Sequence, residues 1–311
     1  MILHKNAEAF RLLIDNISEK YKIRRDVLEK DYYVTLILYE LSQKPKQEYA
    51  YFKGGTALYK ALKSIRRFSE DIDLTVFIDD CPNNSQAKKR LVNSTLKYKS
   101  LPFNKILASN KSSITCEYSY HSIFNMLDDD PLQRFGNVRI ESTSFTISEP
   151  TELIKIAPHL YELSGDDDKR ILEEKFNIIP FDIETITLER IFIDKIFAAQ
   201  FYYERGLFDD VAKHIYDLAI LFNNQRIKDL FLNYDRLENI IKYKRLEEQK
   251  RKGGVSSELA INSFWYFDGF KNNLEIEKAF VRMQNIYVFN QTDKLDINYV
   301  CRVLREIQNQ F

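Results

Sequence analysis

The sequence predicts an α/β fold: a mixed sheet with flanking helices, followed by a C-terminal lobe made of helices. Three observations predict it. Period-two apolar patterns alternate with helical ones up to about residue 180. From about Thr187 the strand signals fade into long helical patterns. Glycine (8) and proline (7) are scarce among 311 residues, as suits a helix-rich chain with few tight turns. The expected division is residues 1–180 as the α/β domain and 181–311 as a helical domain that completes a cleft.

The elements follow in order. Residues 6–43 read as helices, with Phe10, Leu13, Ile14 and Ile17, then Tyr33, Ile37 and Leu41, at helical spacing. Tyr49–Phe52 is a short strand running into Lys53-Gly54-Gly55-Thr56. Ala57, Leu58, Ala61, Leu62 and Ile65 form the apolar face of a helix. Ile72, Leu74 and Val76 alternate with Asp71, Asp73 and Thr75, a half-buried strand pattern. A basic helix spans about 85–100, and strands are expected at Ile114–Tyr120 and Asn137–Phe145. Asp128-Asp129-Asp130-Pro131 reads as a turn and Gly165-Asp166-Asp167-Asp168 as a loop. Beyond Thr187 the helices break near Gly206, at Gly253-Gly254 and around 290–293.

Lys+Arg and Asp+Glu are equal at 46 each, which excludes a generic coat for polyanions but leaves room for a local basic groove. Cys81, Cys116 and Cys301 are far apart and odd in number, so a disulfide framework or zinc knuckle is not expected and a reducing cytoplasm is. No apolar run approaches the roughly 20 residues of a membrane span, and Met1–Lys20 has no leader-like apolar core.

The chemistry concentrates in Phe52-Lys53-Gly54-Gly55-Thr56-Ala57-Leu58 and Arg66-Arg67-Phe68-Ser69-Glu70-Asp71-Ile72-Asp73-Leu74. Residues i and i+2 of a strand share a face, so Asp71 and Asp73 present two carboxylates side by side. Their repulsion is relieved by a divalent cation, and hard oxygen ligands suit Mg²⁺. Gly54-Gly55 lets backbone approach a ligand, and Thr56 can cap a helix whose amides face an anion. An Asp-x-Asp alone is most often solvated surface, and a Gly-Gly-Thr alone a plain turn. The two in this order and spacing suit a metal-bound nucleoside triphosphate.

This segment resembles the signature of the nucleotidyltransferase superfamily, with its polymerase-beta-like mixed sheet. More narrowly it resembles the AbiEii/AbiGii toxins, nucleotidyltransferases of abortive infection and type IV toxin–antitoxin systems. Glu29-Lys30-Asp31-Tyr32 matches a short motif this family carries ahead of the signature. Leu188–Ala199 resembles its helix with an acidic-Lys-x-x-Ala core, and Lys213-His214-Ile215-Tyr216-Asp217-Leu218 its Arg-x-x-Tyr-Asp-Leu element. No motif is placed after about residue 225.

The resemblance implies that Gly54, Gly55 and Thr56 bind the triphosphate, Asp71 and Asp73 ligate Mg²⁺, and Lys195 contacts the nucleotide phosphates. Asp217 would assist catalysis or position the nucleotide. Lys213 stands where Arg is common and His214 where Asp often sits, and His214 is expected on the surface or in packing rather than as a catalytic base. On the residues alone, Lys195 snorkels off an apolar face and Asp217 pairs with Lys213. Glu141 is the candidate third carboxylate, with Glu117 its competitor. Arg66 and Arg67 meet phosphates or are solvated helix-end charges.

Seven Lys/Arg and no Asp/Glu lie between Cys81 and Lys111, and Lys242, Lys244, Arg245, Lys250, Arg251 and Lys252 cluster beside Glu247 and Glu248. With Tyr98, Phe103 and Tyr243 these are expected to track a phosphate backbone, or to be solvated helix faces. The expectation is a monomeric, Mg²⁺-dependent transferase of NMP from NTP to an acceptor hydroxyl, RNA or the tRNA 3′ end first. It would act as a toxin restrained by a separate antitoxin. The alternatives are a degenerate nucleotide- or RNA-binding module, and a transferase acting on a protein or small molecule.

Overall fold

The structure is a computed structural model, and it describes residues 1–63, 66–124 and 135–311. The chain folds as two compact units, each discontinuous in sequence. The first comprises Met1–Ala61, Glu70–Ser144 and Glu152–Thr185; the second comprises Leu62–Ser69, Phe145–Thr151 and Ile186–Phe311.

The first unit opens with helices α1 (Ala7–Tyr21) and α2 (Arg25–Ser42). Its sheet contains β1 (Ala50–Lys53), β2 (Ile72–Val76), β3 (Phe103–Ser109), β4 (Ser113–Ser119), β5 (Asn137–Thr143), β6 (Thr151–Ile156) and β7 (Phe181–Ile186), in the order β3-β4-β5-β2-β1-β7-β6. The sheet is mixed: β1 and β2 run antiparallel, β2 and β5 parallel, and β1 and β7 parallel. Between β1 and β2 the chain makes the short helix α3 (Gly54–Thr56), which widens into a π turn over Ala57–Ala61. Helix α4 (Asn84–Leu96) follows β2, and α5 (His159–Glu162) and α6 (Asp166–Phe176) precede β7. Ile72, Leu74, Cys116, Tyr118, Val138 and Ile140 are buried on one face of the sheet, where the Cys116 thiol and the Tyr118 hydroxyl meet the Thr95 carbonyl of α4.

The second unit is helical: α7 (Leu188–Tyr203), α8 (Phe208–Leu221), α9 (Gln225–Leu232), α10 (Tyr234–Lys250), α11 (Trp265–Asn272), α12 (Leu274–Tyr287) and α13 (Ile297–Gln308). Its core is built from Phe192, Ile196 and Phe197 of α7, Ile215 and Leu218 of α8, Phe280 of α12 and Leu304 of α13. No helix among the described residues is long and apolar enough to cross a membrane.

Several expectations need correction. Asp166, Asp167 and Asp168 are not a loop but the first turn of α6. Three carboxylates there face the positive end of the helix dipole, which offsets their mutual repulsion. The helix expected after Thr56 shortens to the turn ending at Ala61, and Ile65 lies outside the described residues. So does the Asp128-Asp129-Asp130-Pro131 turn. Strands β3, β6 and β7 were not foreseen. All seven residues of β3 are exposed, so it carries no buried-face alternation to read.

Candidate active site

The first cluster forms on the sheet face opposite α4. Asp73 of β2 pairs in register with Lys53 of β1 on one side and Glu141 of β5 on the other. Register partners share a face, so Lys53, Asp73 and Glu141 make one row across three strands. Thr115 of β4 continues it beyond Glu141. Asp71 and Asp73 are half-buried, and Glu141 is exposed.

Gly54 abuts this row at Asp73. It sits at φ +77°, where a side chain is disfavoured, and a Cβ built on it would lie 2.0 Å from Oδ2 of Asp73. The Gly54 backbone is therefore pressed against the Asp73 carboxylate. Thr56 lies inside the short helix and does not cap it, since the residue at the cap position is Lys53. Its hydroxyl is buried and donates to the Asp71 carbonyl. That bond ties the helix start to the strand that carries both aspartates.

The rival third carboxylate, Glu117 of β4, is engaged by two cations. It accepts a hydrogen bond from Arg139 at 3.1 Å, and Lys105 lies 3.6 Å away. Glu141 therefore has the more suitable place, next to Asp73. Sequence reading placed Lys30 of α2 in a family motif but gave it no role; it is buried and donates to the Asn137 carbonyl. Burial pushes its ammonium pKa down, and the negative charges of Glu70 and Asp71 oppose that. The available signal was three consecutive charges, Glu29-Lys30-Asp31, on a helix otherwise apolar nearly all round. Glu29 and Asp31 are buried too: Glu29 accepts from Ser122 and the Ile123 amide, and Asp31 from Lys60 and the His159 amide, each at 2.7 Å.

Among the described residues no three His, Cys, Asp or Glu side chains gather as a metal cage. The donor set nevertheless fits Mg²⁺, which is commonly held by one or two carboxylates with water and substrate phosphate completing its shell. Asp71 and Asp73 would be that pair.

The second cluster belongs to the helical unit. Arg67 donates to both oxygens of Asp217 in a bidentate pair, at 2.7 and 2.8 Å, and Lys195 lies 3.0 Å from the same carboxylate. Asp217 is 0 % exposed. Burial alone would raise its pKa, but Arg67 and Lys195 outweigh burial and hold it at about 2. A carboxylate held this low by three donors is a poor proton acceptor, so its chemistry is to fix Lys195 and Arg67. Lys213 pairs with Asp210 at 3.3 Å and not with Asp217, although helical spacing permits either. Lys195 is not snorkelling to water; its side chain is nearly buried. Arg67 is buried in this cluster, and Arg66 is exposed beside Asp293 at 3.0 Å. His214 stacks on Tyr202 with ring centroids 5.4 Å apart and its Nδ1 finds no hydrogen-bond partner. Burial and then Lys195 push its imidazole well below its usual pKa, so it is neutral.

Residues 36–301 match the family described as nucleotidyl transferase AbiEii toxin, type IV TA system. The chain belongs to this family. No curated protein sequence matches it. The AbiEii match takes in Gly54, Gly55, Thr56, Asp71, Asp73, Glu141, Lys195 and Asp217. It also runs through the C-terminal helices, where sequence reading found no motif, while Glu29-Lys30-Asp31-Tyr32 lies ahead of its start.

For an AbiEii nucleotidyl transferase the two basic segments have different fates. In the first, Lys89, Lys97, Lys99 and Lys111 are exposed, whereas Arg90 is paired with Asp80 at 2.5 Å. Tyr98 cannot stack on a base: it is buried against Tyr118 and its hydroxyl donates to the Ser94 carbonyl. The second segment is partly internal. Lys244 is buried, 3.2 Å from Glu247 and 2.7 Å from Glu248. Arg190, also buried, bridges Asp194 and Glu247. Glu247 in turn accepts from the Ile147 amide, and Arg245 donates to the Ser256 and Leu259 carbonyls. Lys242, Lys250 and Lys252 remain exposed. Lys244 and Arg190 in this way hold α7 and α10 together, and these two are not available to a phosphate backbone.

Proposed function

We propose that this nucleotidyl transferase moves NMP from a nucleoside triphosphate to an acceptor hydroxyl, with Mg²⁺, and that RNA, the tRNA 3′ end first, is the acceptor. It acts in the cytoplasm as a monomeric toxin, and its antitoxin restrains it without being part of the active site. Residues 1–180 form the transferase domain and 181–311 the helical domain. One observation carries the reading: Asp73 and Glu141 are register neighbours, with Asp71 two residues from Asp73 and the Gly54 backbone pressed on the Asp73 carboxylate.

The roles follow from this arrangement. Asp71 and Asp73 hold Mg²⁺, which when bound neutralises charge on the triphosphate. The Gly54-Gly55-Thr56 turn lies beside them, with backbone able to approach phosphate because glycine carries no side chain. Glu141 accepts the proton of the acceptor hydroxyl as its oxygen bonds to the α-phosphorus. The bond from the α-phosphorus to the bridging oxygen breaks, and pyrophosphate leaves. Lys195, held by Asp217, is the fixed positive charge that the resemblance to the family assigns to the nucleotide phosphates.

The test is to incubate the protein with each α-labelled NTP, Mg²⁺ and total RNA, in parallel with a protein extract. Label in RNA that disappears with a chelator and returns with Mg²⁺ supports the reading. Label confined to protein overturns the RNA assignment. NTP binding without transfer to any acceptor overturns the enzymatic one.

A further inference from the structure

Arg139 and Lys105 are not used by the chemistry above. Both lie on the sheet face that carries Asp73 and Glu141. Lys105 of β3 is the register partner of Glu117 of β4, and Glu117 of Arg139 of β5. Arg139 immediately precedes Ile140, the partner of Ile72, so it falls beside Asp71, whose charge acts on it. The row Lys105–Glu117–Arg139–Asp71 thus crosses the sheet from its edge to the carboxylate pair, next to the row of Asp73 and Glu141.

Glu117 orients both cations at once, at 3.1 Å from Arg139 and 3.6 Å from Lys105, and its side chain is only 12 % exposed. The cations are open: 47 % exposed for Arg139 and 59 % for Lys105. A buried carboxylate that anchors two exposed cations fixes their direction without neutralising either fully. With strands about 4.8 Å apart, the backbones of Arg139 and Lys105 stand roughly 10 Å from each other and that of Lys105 about 14 Å from β2, while their charged ends converge on the one Glu117 carboxylate. An acceptor whose terminal hydroxyl lies at Glu141 therefore meets two fixed cations as it leaves toward the sheet edge.

We propose that Arg139 and Lys105, oriented by Glu117, form a track for the backbone phosphates of a single-stranded nucleic-acid acceptor. This rests on the transferase reading of Asp71, Asp73 and Glu141. It adds the path of the acceptor, and it favours a polyanion over a neutral peptide or small molecule. Glu117 is here a positioning residue.

The experiment measures binding of a short single-stranded oligoribonucleotide to full-length protein across a range of salt, for wild type and for Arg139→Ala with Lys105→Ala. Two lost phosphate contacts lower the slope of log affinity against log salt by about 1.4. Affinity at low salt falls about tenfold or more, with the NTP dissociation constant unchanged. Lys105→Ala alone, on an exposed edge strand, lowers the slope by about 0.7, and Arg139→Lys with Lys105→Arg restores it. An unchanged slope in both alanine variants overturns the track. Failure of the transferase reading looks different: wild type then labels no RNA at all, whatever the oligonucleotide affinities.

Discussion

Replacing Gly54 by alanine separates a strained backbone from a displaced carboxylate. Gly54 sits at φ +77°, and an added Cβ would stand 2.0 Å from Asp73 Oδ2, 2.9 Å from Cγ and 3.0 Å from Cβ. Alanine at positive φ costs about 1 kcal/mol. The clash is with the tip of a short side chain, so the Asp73 carboxylate turns away, at a further cost of about 1 kcal/mol for leaving its rotamer. Stability should fall by about 2 kcal/mol in a denaturant titration. Transfer should fall about 100-fold, because a ligand displaced by an ångström no longer serves the reaction. A double-mutant cycle assigns the cost. In an Asp73→Ala background the carboxylate is absent, and Gly54→Ala should cost only about 1 kcal/mol. An equal cost in both backgrounds, or near-normal transfer by Gly54→Ala, would refute the contact.

Other outcomes follow from the same geometry. Asp217→Asn strands Arg67 and Lys195 in a buried place and should destabilise by about 3–5 kcal/mol in the same titration. Asp217 also predicts an acid dependence. Its folded pKa of about 2 lies below the ordinary 3.8, so its stabilisation, about 2 kcal/mol, is present above pH 4 and is lost as pH falls through 2. Circular dichroism across that window should show wild type losing stability that Asp217→Asn does not have to lose. Glu247→Gln breaks the Arg190–Glu247–Lys244 network and should cost about 3–5 kcal/mol, read as a fall in denaturation midpoint. Glu141→Gln should lower kcat by about 10²–10⁴ with NTP affinity intact, and Glu117→Gln should leave the chemical step far less affected in single-turnover assays.

What the sequence made legible was local. Ile72, Leu74 and Val76 alternate with charged or polar neighbours, so β2 and the shared face of its aspartates could be read directly. Gly54 stood out as half of a Gly-Gly pair that lets backbone approach a ligand, whereas its positive φ is visible only in the fold. Glu141 could be named as a strand residue, but its place beside Asp73 depends on the parallel pairing of β2 with β5, two strands far apart in sequence. Arg67 and Asp217 are 150 residues apart, so helical spacing pointed instead to the nearer Lys213. The 242–252 cations looked like a surface patch because burial is invisible in a charge count. Lys244 and its glutamates are interior, which takes Lys244 out of the expected basic patch. Strand β7, Phe-Asp-Ile-Glu-Thr-Ile, carries the alternation of a half-buried strand, and it was passed over beside the stronger helical signal that follows.

The most direct measurement is transfer of an α-labelled nucleotide to RNA by wild type and by Asp71→Asn with Asp73→Asn, with pyrophosphate release followed in the same samples. Wild type should label RNA and release pyrophosphate in equal amounts, and the double variant should do neither while remaining folded. Label transfer that survives loss of both carboxylates would contradict the assignment of this strand as the catalytic centre.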